Sequence, residues 1–221
     1  MPISFKSNNR ITISGIDIGF RHTISFWIRP QSPGVEFGTI FSNFNDAIGV
    51  WITGSNDAAN YLKLNYGIPA NTYSTSTLSN LKWNHVLVSL DGSNSGNFFF
   101  NGISAGSIPT VAGSTVVNIA GGSTATAYPL RADLDEFCIY AGKEIDGTQT
   151  VERISNSKVR GMPLQLMGTS NLKLYFPMDD FSEGVSCSGV IKDRSGSNNN
   201  GTFVGSINPV AIAGQVLSYQ P

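Results

Sequence analysis

Charge is scarce in this chain. Asp, Glu, Lys and Arg make up 13% of its 221 residues, and the formal net charge is −1. Such a surface has little with which to neutralise phosphates, so neither nucleic acid nor an anionic membrane is an expected partner. Long apolar runs are missing too; none approaches the ~20 residues of a membrane span. MPISFKSNN has neither an apolar core nor a cleavage site, so no signal peptide is visible. The only histidines are His22 and His85, and no G-x-S-x-G elbow accompanies them, which leaves nucleophilic catalysis without its parts. The two cysteines, Cys138 and Cys187, fit neither a C-x-x-C nor a zinc spacing. Free thiols are expected; the alternative is one disulfide, contributing about 4 kcal/mol in the chain-entropy model.

What is present is turn chemistry and short apolar runs. The length suits one all-β domain with a sizeable core. Leu81–Gly106, LKWNHVLVSLDGSNSGNFFFNGISAG, is the clearest stretch. Strands are predicted at Trp83–Leu90, Asn97–Phe100 and Ile103–Ser107. Asp91-Gly92 opens a polar turn, and Asn101-Gly102 predicts a tight hairpin because both residues accept positive φ. Val86, Val88 and Leu90 share one face; His85, Leu87 and Ser89 share the other, so this strand is expected to be mostly buried. Further strands are predicted at Arg10–Ser14, His22–Arg29, Phe37–Asn43, Gly49–Thr53, Asn60–Tyr66, Thr115–Ala120 and Leu134–Tyr140. Gly67–Ser79 reads as a polar loop. Val151 and Ile154 sit at i, i+3, predicting at most one short helix near 148–158.

Several of these runs resemble laminin G-like, concanavalin A-like domains. WNHVLVSLDGSNSGNFFFNG is similar to their W-x-H-V…D-G…N-G signature, TISFWIRP to their T-I-S-F-W-[VI]-x-P strand, and LDEFCIY to their closing [IL]-D-E-[VF]-x-I-Y strand. The resemblance implies a two-sheet antiparallel β-sandwich, a jelly roll, as in lectins, pentraxins, adhesion proteins and some glycoside hydrolases. Residues 172–205 resemble a Y-[WF]-x-[MF]-D…V-x-D-x-S-G-x-x-N-x-G segment that such domains place before the SFW strand. Residues 1–221 are thus expected to form one domain in permuted order, with Leu172–Met178 returning to fill an empty slot beside the first strands. Donation of that tail to a neighbouring chain is the alternative.

Hydrolases of this fold use E-x-D-x-x-E, whose outer carboxylates work as a pair. This chain reads EIDGTQ at 144–149, with Gln149 where the second carboxylate belongs, and a glutamine cannot cycle a proton. Asp135 and Glu136 are adjacent in a strand and are expected on opposite faces. An enzyme is therefore not expected. Calcium is the cofactor considered, since it takes oxygen ligands that loops supply. Asn45, Asp46 and Asp57 are candidates in two consecutive loops, the first by resemblance to a pentraxin Asp-Asn pair; Asp193 is a candidate in the separate DRSGSNNNG loop. Aromatic stacking on sugar rings is the other lectin device. Trp51, Tyr73 and Tyr128 are the candidates, whereas Trp27 and Trp83 are expected in the core. The chain is expected to be an extracellular or surface-displayed module that binds a glycan or glycoprotein. The alternative is an assembly component of a surface layer, fibre or virion, self-associating through its tail.

Overall fold

The computed structural model describes residues 2–6, 9–31, 38–43, 49–54, 57–67, 72–93, 95–109, 114–121, 129–145, 171–205 and 209–212. Among them are sixteen strands and no helix. The first seven are β1 (Ile3–Phe5), β2 (Asn9–Gly19), β3 (Arg21–Pro30), β4 (Gly38–Ser42), β5 (Gly49–Ile52), β6 (Leu64–Tyr66) and β7 (Thr72–Tyr73). Then come β8 (Asn84–Asp91), β9 (Gly96–Phe100), β10 (Ile103–Ile108), β11 (Ser114–Ile119) and β12 (Ala132–Ala141). The tail adds β13 (Leu172–Phe176), β14 (Val190–Ile191), β15 (Gly201–Gly205) and β16 (Val210–Ala211). The helix expected near 148–158 lies outside the described residues.

Two antiparallel sheets of eight strands face each other, the sandwich expected of a jelly roll. The first runs β10-β9-β8-β3-β12-β1-β16, with β13 also paired to β12; the second runs β14-β15-β2-β11-β4-β5-β6-β7. Alternation builds the core. Ile24, Phe26 and Ile28 of β3, Val86, Val88 and Leu90 of β8, and Ile11 and Ile13 of β2 all point inward and are buried. His22 links the sheets across one end of the core. Its Nε2 lies 2.9 Å from the Tyr66 hydroxyl and its Nδ1 3.0 Å from the Gly19 carbonyl. The carbonyl can only accept, so Nδ1 carries the proton and Nε2 accepts from Tyr66.

The β8–β9–β10 meander forms as its residues predict. Asn101 and Gly102 have φ of 50° and 79°, the positive pair that a two-residue hairpin needs. Other expectations need correcting. Only Leu64–Tyr66 of the alternating run 60–66 is strand, because Leu62 has φ of 60° and residues 58–62 form a turn. Thr72–Tyr73 of the supposed loop 67–79 pairs with β6 as a strand. Trp27 and Trp83 are not core residues. Both are half-buried; Trp27 lies edge-on to His85, and Trp83 lies under the Arg29 guanidinium at 5.4 Å. Both thiols are free and buried.

The tail strands pair within the chain. β12 carries β1 along residues 132–134 and β13 along residues 137–140 of the same edge. In the other sheet β15 lies beside β2, Thr202 opposite Thr12 and Val204 opposite Arg10. Gly201 is favoured at the start of β15, where a Cβ would come closer than van der Waals contact to Ile11, Ile191 and Phe176 at once. β16 then pairs with β1, and Ile212 N–H donates to the Pro2 carbonyl at 3.0 Å.

Candidate functional site

Each sheet has an outer face, and the two differ. That of the first sheet is closed by the chain itself. Leu87, Phe99, Cys138, Tyr140, Ile145 and Leu172 form a second apolar cluster there. Ile145 N–H donates to the hydroxyls of Thr23 and Ser89, both at 3.0 Å, fastening the segment after β12 across β3 and β8. His85 is buried on this face with Nε2 2.9 Å from Ser25 Oγ, and burial pushes its pKa down to about 4. The neutral ring is a structural group in a closed layer. A bulge between Asp135 and Cys138 gives Glu136 a φ of 52° and undoes the expected alternation. Glu136 turns to the same outer face as Asp135, where it accepts a 2.5 Å hydrogen bond from the Tyr175 hydroxyl. Glu144 is exposed; Asp146 and Gln149 lie outside the described residues.

The outer face of the second sheet is polar. Register carries one row of partners across it: Thr39 opposite Trp51, Trp51 opposite Asn65, and Asn65 opposite Tyr73. A second row joins Thr202, Thr12, Asn118 and Ser42. Alternation would send Thr39 and Ser42, three residues apart, to opposite faces. A bulge between Thr39 and Phe41 puts both outward while Ile40 and Phe41 enter the core. Thr39, Ser42, Trp51, Asn65 and Asn118 form a recessed floor, each no more than 5% exposed. Arg10, Thr12 and Tyr73 around it are half-buried. Thr39 Oγ1 and Ser42 Oγ are buried with no hydrogen-bond partner among the described residues. An unsatisfied buried hydroxyl costs about 1–3 kcal/mol, a cost that a hydrogen-bonding partner from outside the described residues would remove.

The structure gathers three of the sequence candidates here. Trp51 and Tyr73 share the first row. Trp51 is floor and not an open platform, whereas Tyr73 keeps an accessible ring. Asp57 reaches Tyr73, whose hydroxyl is held above its ordinary pKa by burial and then by the charge and hydrogen bond of that carboxylate. Asp57 also accepts from Asn60 Nδ2 at 2.9 Å. Asn45, Asp46 and Tyr128 lie outside the described residues. Thr39, Ser42, Asn118 and Arg10 were missed. The one available signal was the polar face of RITIS, where Arg10 and Thr12 alternate with Ile11 and Ile13.

Asp193 stands elsewhere and organises the tail loop. Its Oδ1 accepts N–H bonds from Tyr175 (2.9 Å) and Ser195 (2.8 Å). Its Oδ2 accepts from Ser195 Oγ (2.8 Å) and Asn199 N–H (2.9 Å). Calcium at this carboxylate would have to displace those bonds. Among the described residues no three His, Cys, Asp or Glu side chains converge on a common point. Calcium also takes amide and backbone carbonyl oxygens, which those side chains do not include.

Solved structures share the architecture. A candidate carbohydrate-binding protein from Bacteroides ovatus superposes with a TM-score of 0.65 at 19% identity, over 96% of this chain and 62% of its own length. This chain thus spans under two thirds of that protein. A heptameric SAP-like pentraxin from Limulus polyphemus gives 0.53 at 16% identity, over 68% of this chain and 79% of the pentraxin. Domain 4 of an extracellular GH43 arabinanase from Geobacillus stearothermophilus, solved with arabinotriose, gives 0.50 at 16% identity, over 68% of this chain and 75% of that domain. At these identities the likeness concerns the fold. No curated protein matches the sequence. Residues 5–143, more than half the chain, match the concanavalin A-like lectin/glucanases superfamily, and the chain belongs to that superfamily.

Proposed function

We propose that this protein is a non-catalytic carbohydrate-binding module whose ligand lies on the outer face of the second sheet. One observation carries the reading: Thr39 Oγ1 and Ser42 Oγ, buried and unpartnered among the described residues, lie on the floor that also holds Trp51, Asn65 and Asn118. A polyhydroxylated ligand supplies both donors and acceptors to such hydroxyls and amides. Tyr73 at the rim offers its ring to a sugar's C–H face. The superfamily and the arabinotriose-bound domain support this choice of ligand class. The first sheet's carboxylates do not favour hydrolysis, since Glu136 is held by Tyr175 within a closed layer. Glycan-array binding followed by calorimetry on Tyr73→Ala is the test. Binding weakened about tenfold with an unchanged melting temperature supports the reading; no binding to any glycan rejects it.

Extracellular or surface display belongs to the same proposal, as does calcium assistance. The latter rests on Asn45 and Asp46, with Asp57 the described carboxylate nearest the rim. Titration with calcium chloride against magnesium chloride checks it. We also read residues 172–205 as supplying the strand and loop that relatives carry before their first matched strand. The placement of β13 beside β1 on β12 supports that reading.

A further inference from the structure

Arg10 has no role in the fold that its chemistry explains. It projects from β2 onto the polar outer face, half-buried, between exposed Val204 of β15 and the floor. Its Nε donates to Thr12 Oγ1 at 3.4 Å, and Thr12 Oγ1 donates on to Asn118 Oδ1 at 3.5 Å. Both bonds are long. Its Nη1 is buried and has no hydrogen-bond partner among the described residues. Among the described residues no carboxylate pairs with it. Asp17, further along β2, accepts the Gly19 N–H at 2.9 Å, and Asp57 lies at the far end of the face beside Tyr73. A guanidinium is always charged, and its planar fork matches an oxyanion. Leaving one nitrogen out of water without an acceptor is costly. Among the described residues the face thus carries a cation at one end that lacks its counter-charge.

Resting on the carbohydrate reading above, we propose that the ligand is an acidic glycan and that Arg10 receives its oxyanion, a carboxylate or a sulfate. From β2 to β5 is three strand steps, about 14 Å at ~4.8 Å per strand. One sugar ring cannot reach from Arg10 to the floor around Trp51, so the ligand is an oligosaccharide laid across the strands. Its neutral rings lie over Thr39, Trp51 and Asn65 towards Tyr73, and its charged substituent sits at Arg10. Thr12 and Asn118 orient the guanidinium from below.

The test uses the whole chain on an array of neutral, uronate-bearing and sulfated glycans. Calorimetry follows with short oligogalacturonates and their methyl esters, which keep the ring skeleton and remove the charge. The expected result is binding confined to oxyanion-bearing glycans and weakened by sodium chloride. Binding should fall about tenfold or more in Arg10→Gln and partly recover in Arg10→Lys, with melting temperatures confirming that both variants fold. The uronate and sulfate arms identify which oxyanion is taken. Binding to neutral glycans alone, or acidic binding indifferent to Arg10→Gln, overturns the proposal and leaves the carbohydrate reading standing. No binding to any glycan overturns both.

Discussion

Replacing Thr39 by valine should make this protein more stable and a poorer binder. The exchange keeps the β-branched shape and removes one hydroxyl. Thr39 is fully buried on β4, and its Oγ1 has no partner among the described residues. In the free protein that hydroxyl was desolvated without a protein hydrogen bond in return. Its removal should therefore gain about 1 kcal/mol, the low end of the range for an unsatisfied buried group, because the group is neutral. For a domain of this size that is ~2–4 °C in melting temperature. A sugar hydroxyl that pairs with Thr39 in the complex would be lost at the same time, weakening binding about two- to tenfold. Scanning calorimetry and isothermal titration on one preparation read both quantities. A residue with a purely structural role moves both downward or neither. A fall in melting temperature would show that the hydroxyl is satisfied in the folded protein. A rise with unchanged affinity would show that it does not meet the ligand. Either outcome refutes the argument that links the orphan hydroxyls to a glycan.

Acid should weaken the fold through its two histidines. Burial lowers His22 and His85 from 6.5 to about 4, so their contribution is complete above pH 6.5 and is lost as pH falls towards about 4. Urea midpoints should decline through that window, and His22→Gln should flatten part of the slope; a flat wild-type profile down to about pH 5 would contradict both assignments. Asp193→Ala removes the acceptor of four hydrogen bonds in the loop after β14 and should cost about 2 kcal/mol in urea unfolding. An unchanged midpoint would mean that the loop does not depend on its carboxylate. Truncation after Gly161 removes β13 from β12 and β15 from β2, exposing two strand edges, and should give an aggregating or unfolded product. A soluble, equally heat-stable monomer would show that the tail is dispensable.

Much of the fold was legible because local chemistry and tertiary need agree in its central strands. HTISFWIR and NHVLVSL alternate around buried Ile, Phe and Val, and the Asn101-Gly102 turn has one comfortable geometry. The misreadings came where one residue left the period. Leu62, at positive φ, cut β6 to three residues, although NYLKLNY alternates along its whole length. Glu136, also at positive φ, moved one carboxylate to the face of its neighbour. β7 is two residues long in a polar stretch and exists through its pairing with β6. The candidate site was less legible still. Trp51 and Tyr73 could be picked by residue type, but their placement in one row depends on the registers of three strand pairs. Thr39 and Ser42 share a face only because of a bulge. No single-residue propensity encodes either fact, since both arise from how strands separated in sequence are matched.

The tail bears on the site as well as on the fold. β15 is the strand next to β2, and its outward residues Thr202 and Val204 stand opposite Thr12 and Arg10. The ground beside the Arg10 guanidinium is therefore built by residues 201–205, outside the 5–143 stretch that matches the superfamily. The same tail holds the first sheet through β13 and meets the chain's first strand through β16. Arg10 thus sits between a strand from the matched region, β11, and one from the tail, β15, and its orientation depends on both. A module cut to its matched region would keep β5, β6 and β7 in its sequence without a closed sandwich to hold them. It would lose the neighbour that walls Arg10, together with two edge pairings that protect the sheets. On the proposed reading, ligand recognition at this end of the face and closure of the sandwich are parts of one structural requirement.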